Sequence, residues 1–397
     1  MPDVLRSGEP GAAAGLPARL RMPRRFSVYA VGPGQFRVQS AAQNLSLGVL
    51  RHPDAFSALA QNAADGFEPA AFLATIGPAA RREVEQVLSL LLDRGFLVAD
   101  TPAVEGDAPR YAAQRLFFSH FEDAGAPAAA GARPGGEGRD AQRRLATATV
   151  AVLGLGQAGS AVARALALAG VGRLRLADAG EVREEDVWSG AFYGADDVDR
   201  PRGEALSPRV GRLNDQVRAE STPWSPGQPA AELRALVEGA SLVVLCPDAF
   251  HPRDYAAVNE ACLAAGVPWI NRRVLGFEVT VGPLVLPGEG PCYTCFDLRL
   301  LGNLLDAGER QKLHGYLDGG ALQTGALPVA CGVELLVGEV VKRLSGFRAP
   351  STLGHVVFLS PAGGDARRRP LLRIPRCPAC GRGARPPRPT IDPWAHV

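Results

Sequence analysis

The chain of 397 residues contains almost no lysine, few aromatic residues and no long apolar run. Lysine occurs only at Lys312 and Lys342, so arginine supplies nearly all of the positive charge. Lys and Arg number 43 against 41 Asp and Glu, and the net charge of +2 gives no electrostatic reason to expect nucleic acid or an anionic membrane as a partner. No stretch approaches the roughly 18 to 20 uninterrupted apolar residues of a membrane-spanning helix.

The amino-terminal region also lacks the apolar core of a secretory signal peptide. The seven cysteines are an odd number, which argues against an oxidised secreted protein built on disulfides. Hydrophobic residues make up 46% of the chain and charged residues 21%, as in ordinary globular proteins. We therefore expect a cytoplasmic protein of two or three domains, since a domain averages about 150 residues.

The first folded block is predicted at residues 23–101. A turn signal, Gly32-Pro33-Gly34, separates two runs typical of strands, and amphipathic helical patterns follow. A few strands followed by three short helices indicate a small winged-helix-like α+β domain. The predicted strands cover residues 26–31, 35–39, 44–49 and 96–99, and the predicted helices cover residues 54–64, with Asp54 as the N-cap, 69–75 and 79–94.

Strand and helix patterns alternate in the block at residues 146–383, which predicts an α/β domain with a mostly parallel sheet. The segments around these two blocks are predicted to be a flexible amino terminus at 1–22, a connector at 102–145 with a flexible loop at 123–139, and a tail at 384–397. In the α/β block the predicted strands cover residues 149–153, 173–177, 241–246 and 269–271, and the predicted helices cover 158–169, 230–239 and 254–265.

A glycine motif, Gly154-Leu-Gly156-Gln-Ala-Gly159, lies between the first of these strands and its helix. Glycines in this position allow a tight turn and bring a phosphate close to the N–H groups of a helix N-terminus. The next strand ends in Asp178, whose carboxylate could accept hydrogen bonds from a ribose. The pattern predicts a Rossmann-type unit, although the glycines could also persist only for packing.

Two CxxC pairs, Cys292/Cys295 and Cys377/Cys380, predict a structural zinc site. Four thiolates complete a tetrahedral zinc site and leave no open position for a catalytic water. A redox CxxC is the competing interpretation, which a second copy of the motif disfavours. The other three cysteines stand alone in apolar surroundings and are expected to be inert core residues. They are Cys246, Cys262 and Cys331.

The sequence resembles the ThiF/MoeB proteins and the adenylating core of ubiquitin-activating enzymes. RYAAQ at residues 110–114, VAVLGLGQAG, GVGRLRLAD, LVVLCPD and the paired CxxC motifs occur in the order seen in that family. GPLVLPGEGPCYTCFDLR and RCPACG are similar to the ThiF-like proteins of thiazole/oxazole-modified (TOMM, thiopeptide) RiPP biosynthesis. In those proteins a PqqD-like RiPP recognition element precedes the ThiF-like domain, as residues 23–101 would here.

The resemblance implies a nucleotide site, and several of its positions have changed. The carried-over residues are Gly154, Gly156 and Gly159 of the glycine loop, Asp178 for the ribose, Arg202 in place of a phosphate-contacting lysine and Asp248 for magnesium. The changed positions are Ala113 and Ser189, where the family has arginines, Glu185-Asp186 in place of Ser-Asn, and Gln157 in place of glycine.

Losing two arginines that contact a triphosphate removes charge stabilisation from an adenylation reaction. We therefore expect a catalytically inactive adenylation fold with a vestigial nucleotide site and no catalytic residue. Structural Zn²⁺ is the expected cofactor, and ATP-Mg²⁺ is a weaker expectation. Arginines at positions 110, 115 and 183 could replace the lost ones. The acidic runs at residues 184–186 and 196–197 are interpreted as solvated loop rather than paired catalytic carboxylates.

The recognition element of the family captures a disordered peptide as an extra strand beside its last helix. The resemblance therefore implies a peptide-binding edge near residues 44–49 and the helix at 79–94. For any one apolar member, a place in the core is the competing interpretation. The expected peptide-binding residues are Leu45, Leu47, Val49, Arg81, Glu85, Leu88 and Leu92.

The resemblance therefore implies a homodimeric protein that binds the leader of a ribosomal precursor peptide. It would present that peptide to a separate YcaO-family cyclodehydratase, acting in trans, for azoline formation. The alternative is a working ATP-dependent enzyme that adenylates a peptide or carrier-protein carboxylate, as MccB-like and MoeB-like proteins do. An NAD(P)-dependent oxidoreductase ranks third, because no hydride-transfer site is recognisable.

Overall fold

The computed structural model describes residues 16–40, 43–100, 109–121, 138–275, 278–302, 307–318 and 331–381. The chain divides into two compact units, with the boundary between Gln142 and Arg143. The predicted tail at 384–397 and most of the predicted flexible segments, at 1–15 and 123–137, lie outside the described residues. Within the described part, no helix is long and apolar enough to cross a membrane.

The first unit contains a three-stranded antiparallel sheet in the order β2-β3-β4 and a separate two-stranded ladder of β1 with β5. Alternate residues of the sheet face the core, so that Val38 pairs with Leu45, and Phe36 with Leu47. The strands are β1 (Leu20–Arg21), β2 (Ser27–Gly32), β3 (Gln35–Gln39), β4 (Asn44–Leu47) and β5 (Val98–Ala99).

Three helices cover one face of this sheet with a common apolar core. Each begins with proline in its first turn, where the missing N–H has no partner to lose. Asp54 was the predicted N-cap of the first helix, which is wrong, because His52 holds the N-cap position and Asp54 lies in the first turn. The helices are α1 (Pro53–Asp65), α2 (Pro69–Thr75) and α3 (Pro78–Asp93), followed by a 3₁₀ helix at Pro109–Tyr111, by α4 (Ala112–Ser119) and by α5 (Arg139–Thr147).

The second unit is built on an eight-stranded sheet in the order β13-β12-β11-β10-β9-β6-β7-β8. The five strands from β10 to β8 are parallel, and the remaining pairs are antiparallel. The strands are β6 (Thr149–Leu153), β7 (Arg173–Ala177), β8 (Arg218–Thr222), β9 (Leu242–Leu245), β10 (Trp269–Leu275), β11 (Glu278–Val281), β12 (His355–Ser360) and β13 (Asp365–Pro370).

Strand order reverses between β6 and β9, so the loops that follow these two strands open a crevice at the carboxyl edge of the sheet. The helices are α6 (Gln157–Ala169), α7 (Glu184–Trp188), α8 (Arg202–Leu213), α9 (Arg234–Val237), α10 (Pro252–Ala265), α11 (Tyr293–Leu301), α12 (Ala307–Asp318) and α13 (Val333–Ser345), with a 3₁₀ helix at Ala195–Asp197.

The predicted α/β alternation matches this unit, with differences in length. The helix predicted at 230–239 is only the four residues of α9. The strand predicted at 269–271 continues to Leu275 and pairs there with β11. The two arginines in this extension, Arg272 and Arg273, are buried, although arginine in a sequence usually indicates an exposed position.

Candidate nucleotide site and metal centre

The glycine motif forms the turn between β6 and α6, at the crevice where strand order reverses. Gly154 has a φ of +84°, which favours glycine, and a Cβ there would lie 2.9 Å from the Cα of Pro247. A Cβ on Gly156 would overlap the carboxylate of Asp248, and one on Gly159 would overlap the carbonyl oxygen of Gly154. Backbone packing within this chain therefore requires glycine at 154 and 159 whether or not a nucleotide binds, whereas at Gly156 the obstacle is the side chain of Asp248.

Asp248, which follows β9, occupies the amino end of α6. Its carboxylate accepts hydrogen bonds from the backbone N–H groups of Gln157 (2.8 Å) and Ala158 (3.1 Å). Burial raises the pKa of Asp248, and these two hydrogen bonds and the positive charges of Arg202 and Arg272 oppose the increase. The carboxylate therefore takes the position that a bound phosphate takes at such a helix N-terminus.

Asp178, at the end of β7, is held by the backbone on both oxygens. Oδ2 accepts a hydrogen bond from the N–H of Leu155, and Oδ1 accepts one from the N–H of Gly180, each at 2.7 Å. Arg202 lies 3.5 Å from Oδ2. The carboxylate is thus oriented at the edge of the crevice, as a ribose-binding aspartate would need to be.

Arg202, the first residue of α8, is paired with Asp186 of α7. Its guanidinium donates to both oxygens of that carboxylate, at 2.8 and 3.0 Å, and the Asp186 side chain is only 8% exposed. Burial lowers the pKa of Arg202, but the hydrogen bonds to Asp186 and the charges of Asp178 and Asp186 outweigh it, so the net shift is upward. The cation expected to meet phosphate is therefore already neutralised within the protein.

The interpretation of the acidic runs as solvated loop is wrong for two of their residues. Asp186 lies in α7, where it pairs with Arg202, and Asp197 is buried between Arg200 and Arg209. Each of these carboxylates also accepts a hydrogen bond from a backbone N–H three residues before it. These two buried carboxylates therefore hold the chain between β7 and α8 in place, and they are not solvent-exposed loop residues.

These side chains surround a cavity of about 530 Å³. That volume falls within the usual range for a small-molecule site, roughly 300 to 1,000 Å³. Arg183 reaches the cavity with an exposed side chain and makes no ion pair within the described residues. The lining includes Gly154, Gly156, Asp178, Arg183, Arg202, Trp224, Pro247, Asp248 and His251.

Three residues that border this site were not identified from the sequence. Trp224 and His251 line the cavity, and the buried Nδ1 of His251 has no hydrogen-bond partner in the described part of the chain. The hydroxyl of Tyr193 donates to the carbonyl of Leu155 at 2.6 Å, and burial raises its pKa. No motif surrounds these residues, so only their position in the fold identifies them.

Two of the positions that differ from the family pattern, Gln157 and Ser189, contact each other. The side-chain amide of Gln157 donates to the carbonyl of Ser189 at 2.7 Å.

The four cysteines of the CxxC pairs converge in the second unit, with their Sγ atoms within 4.8 Å of one another. Neighbouring Sγ atoms are 3.6, 3.7 and 4.0 Å apart. A tetrahedral zinc with bonds of about 2.3 Å separates its sulfur ligands by about 3.8 Å, so the donor set and its size fit zinc. A site of this kind would bind the metal without an open coordination position.

Backbone hydrogen bonds fix both cysteine pairs. Cys292 is the N-cap of α11, and Cys295 lies in the first turn of that helix. The N–H of Ile374 donates to the Sγ of Cys295 at 3.4 Å, and the N–H of Gly381 donates to the carbonyl of Cys377 at 2.8 Å. A metal here would join α11 to the segment that follows β13.

The seven residues expected to bind peptide divide into two groups by burial. Leu47 and Leu88 are 6% and 0% exposed and pack in the core of the first unit, which leaves little of either side chain for a ligand. The other five expose at least part of their side chains. Leu45 and Val49 lie in or near β4, Leu92 lies on α3, and Arg81 and Glu85 form an ion pair of 3.1 Å on α3.

Comparison with known proteins gives matches over most of the second unit. The model described as ThiF family matches residues 132–380. The sulfur carrier protein ThiS adenylyltransferase of Escherichia coli is 29% identical over 245 residues, which cover 61% of this chain and 89% of that protein. The sulfur carrier protein adenylyltransferase of Thermus thermophilus is 30% identical over 249 residues, which cover 62% and 86% respectively.

Solved structures with the same fold extend the similarity to the first unit. The microcin C7 biosynthetic enzyme MccB in complex with N-formylated MccA superposes with a TM-score of 0.68 at 19% identity, covering 91% of this chain and 100% of that one. E. coli MccB with ATP gives a TM-score of 0.65 at 19% identity. PaaA gives 0.64 at 18% identity over 88% of this chain and 99% of that one.

Proposed function

Because the chain belongs to the ThiF family, we propose that it is a non-catalytic ThiF-like component of a peptide-modifying complex. The module predicted at residues 23–101 would bind the leader of a ribosomal precursor peptide, as a RiPP recognition element does. A separate YcaO-family cyclodehydratase, acting in trans, would then convert side chains of the presented peptide to azolines. The resemblance to TOMM proteins and the common fold with MccB, which has been crystallised with N-formylated MccA, support this proposal.

The contact of Asp248 with the amino end of α6 is the observation that carries the non-catalytic assignment. Both N–H groups that would receive a phosphate already donate to its carboxylate. A nucleotide phosphate could use them only after Asp248 had moved. The site as it stands is therefore filled by an anion of the chain itself.

The remaining charges of the cavity also disfavour a triphosphate. Arg202 is engaged by Asp186 and lies near Asp178, so Arg183 is left as the one lining cation without an ion pair among the described residues. Adenylation requires positive groups aimed at the phosphoryl oxygens before the reaction starts. A cavity whose carboxylates match its arginines supplies little of that stabilisation.

The second unit would then serve as a zinc-stabilised platform for assembly. We propose that the four cysteines bind structural Zn²⁺, that two chains associate as a homodimer, and that the partner enzyme docks on this platform. The near-zero net charge agrees with peptide and protein partners rather than nucleic acid.

Two measurements on the full chain test the proposal. Isothermal titration calorimetry with ATP-Mg²⁺ is expected to show weak binding or none, and pyrophosphate exchange into ATP should stay at background with a candidate precursor peptide. A fluorescent leader peptide taken from a gene neighbouring a YcaO gene should bind the chain, and deletion of residues 1–101 should abolish that binding. Peptide-dependent exchange, or leader binding that survives the deletion, would refute the corresponding half of the proposal.

A second candidate function is ATP-dependent adenylation of a peptide or carrier-protein carboxylate. The cavity retains Asp178 at its edge and an available cation in Arg183, and relatives such as the E. coli protein are named adenylyltransferases. If this function is correct, Arg183→Ala should abolish pyrophosphate exchange. The matched variant Arg212→Ala, at the end of α8 and absent from the cavity lining, should leave exchange unchanged.

A further inference from the structure

The sheet of the first unit has two edges, and β2 is the longer of its two edge strands. It has six residues against four in β4, and its sequence, Ser-Val-Tyr-Ala-Val-Gly, contains no charge and no proline. Within the described residues, no backbone group pairs with its outer side. A β-bulge near its end leaves Ser27 to Ala30 as the regular part. An uncharged edge without proline is the kind that accepts a further strand.

An apolar groove lies between α1 and the start of β2, where Val28 is the strand residue that lines it. Its volume is about 290 Å³, and most of its wall is apolar. Val28 points from β2 toward the core side, where its cross-strand neighbour Val38 is fully buried. A strand added to β2 would alternate its side chains in the same way, so that every second one faces the side of the sheet on which the groove lies, and one near Val28 could enter it. The apolar lining includes Met22, Phe26, Val28, Ala60 and Ala64.

Among the residues that line the groove, the one charged side chain is the cation Arg24. Arg24 lines it with an exposed side chain, and Arg37 lies directly across from Tyr29 on the other face of the sheet. Neither arginine makes an ion pair within the described residues, and neither β2 nor β3 contains an acidic residue. A second copy of β2 would bring no carboxylate to these arginines, whereas an acidic peptide would.

We propose that the β2 edge binds an extended acidic peptide as a fourth strand. An apolar side chain of the peptide would occupy the groove, and an acidic residue near it would pair with Arg24. Tyr29 and Val31, which are 41% and 47% exposed, would contact the peptide on the other face of the strand. The inference rests on the proposed role of this module in peptide recognition, and it assigns the contact to the edge opposite β4.

A display selection tests this assignment with the full-length chain. A library of random 12-residue peptides is selected on the immobilised protein, and enriched peptides are synthesised with a fluorescein label for anisotropy measurements. We expect alternating apolar residues with an acidic neighbour. Binding should weaken by about tenfold or more in Ala64→Trp, which fills the groove, and in Arg24→Glu. Ala70→Trp, at an exposed position of α2 outside the groove, is the matched control and should bind as the wild type does.

The outcomes separate this inference from the proposed function. If enriched peptides bind Ala64→Trp and Arg24→Glu normally but lose affinity for Val49→Glu and Arg81→Glu, the β2 assignment is wrong and peptide recognition at the β4 side stands. If the full chain enriches no peptide, both the assignment and peptide recognition by this module fail. Methylation of alternate backbone nitrogens of a bound peptide should also abolish its binding, because a strand pairs through those N–H groups. Unchanged affinity for every methylated peptide would overturn the added strand.

Discussion

Asp248 and Glu83 show how a single carboxylate can satisfy the amino end of a helix far from it in sequence. Asp248 reaches α6 across a separation of 91 residues. Glu83 of α3 accepts hydrogen bonds from the N–H groups of Arg51 and His52, just before α1, at 2.8 and 2.9 Å. In each case the contact holds two segments together and occupies donors that would otherwise need water or a ligand.

Replacing Asp248 with alanine should open the amino end of α6 to anions. We expect the affinity for inorganic pyrophosphate to rise by about tenfold, since the helix N-terminus then offers two free N–H groups and one negative charge is gone. Calorimetric titration measures the change, with Asp196→Ala as an exposed control. If Asp248→Ala instead weakens ATP-Mg²⁺ binding, the residue holds the metal of a working nucleotide site.

Replacing Glu83 with glutamine should destabilise the first unit by about 1 kcal/mol, as the loss of a helix-capping group does. Burial raises the pKa of Glu83, but the hydrogen bonds from Arg51 and His52 outweigh it and the net shift is downward from 4.5. The stabilisation is therefore present above about pH 4.5 and is lost as the pH falls through the folded-state pKa. Urea unfolding of both proteins at pH 7 and at pH 3 should show the difference shrinking at the lower pH. Glu85→Gln, which breaks only an exposed ion pair, should change stability by less than about 0.5 kcal/mol at either pH.

At the scale of elements, the short helix α7 positions a carboxylate beside the cavity, and the cysteine pairs form a separate cluster elsewhere in the second unit. α7 presents Asp186 to Arg202, and so decides the charge that the cavity offers a ligand. The cysteine pairs lie on α11 and on the segment after β13, so a bound metal would restrain two parts of the chain that no strand pairing joins among the described residues. Both features act through side chains brought together from different elements.

Removing the metal should unfold or loosen this corner of the second unit. We expect about one zinc per chain in the purified protein by atomic absorption, and its loss in Cys377→Ser together with a lower thermal midpoint. Cys331→Ser, outside the cluster, should keep its zinc. A wild-type protein that contains no zinc, and whose midpoint does not change on treatment with a strong chelator, would contradict the metal assignment.

For the whole molecule, the division into two units predicts two thermal transitions. Each unit has its own hydrophobic core, so each can unfold cooperatively. Differential scanning calorimetry should show one transition that chelation lowers and another that Glu83→Gln lowers. A single transition moved equally by both changes would show that the units unfold together. Since chelation acts on the second unit and Glu83 on the first, the pair of perturbations assigns each transition.

Features encoded by neighbouring residues were predicted from the sequence. The turn at Gly154 follows from adjacent strand and helix patterns, and the four cysteines were grouped by two local CxxC motifs. The strands β3 and β6 match their predicted bounds, because alternation and apolar runs depend only on nearby residues. The wrong interpretation of Asp186 had the opposite cause, since its partner Arg202 is 16 residues away in the chain.

The sequence by itself determined the α/β core, its glycine turn and the cysteine cluster, because each depends on short-range periodicity or on a motif. Only the tertiary structure decided that Asp248 fills the amino end of α6, that Arg202 is neutralised by Asp186, and that Leu88 belongs to the core. It also shows an apolar groove between α1 and the start of β2, which no sequence motif had indicated. These contacts join segments that are remote in sequence. Local patterns do not distinguish between the possible pairings of such segments, and burial and charge pairing in the folded chain decide which one forms.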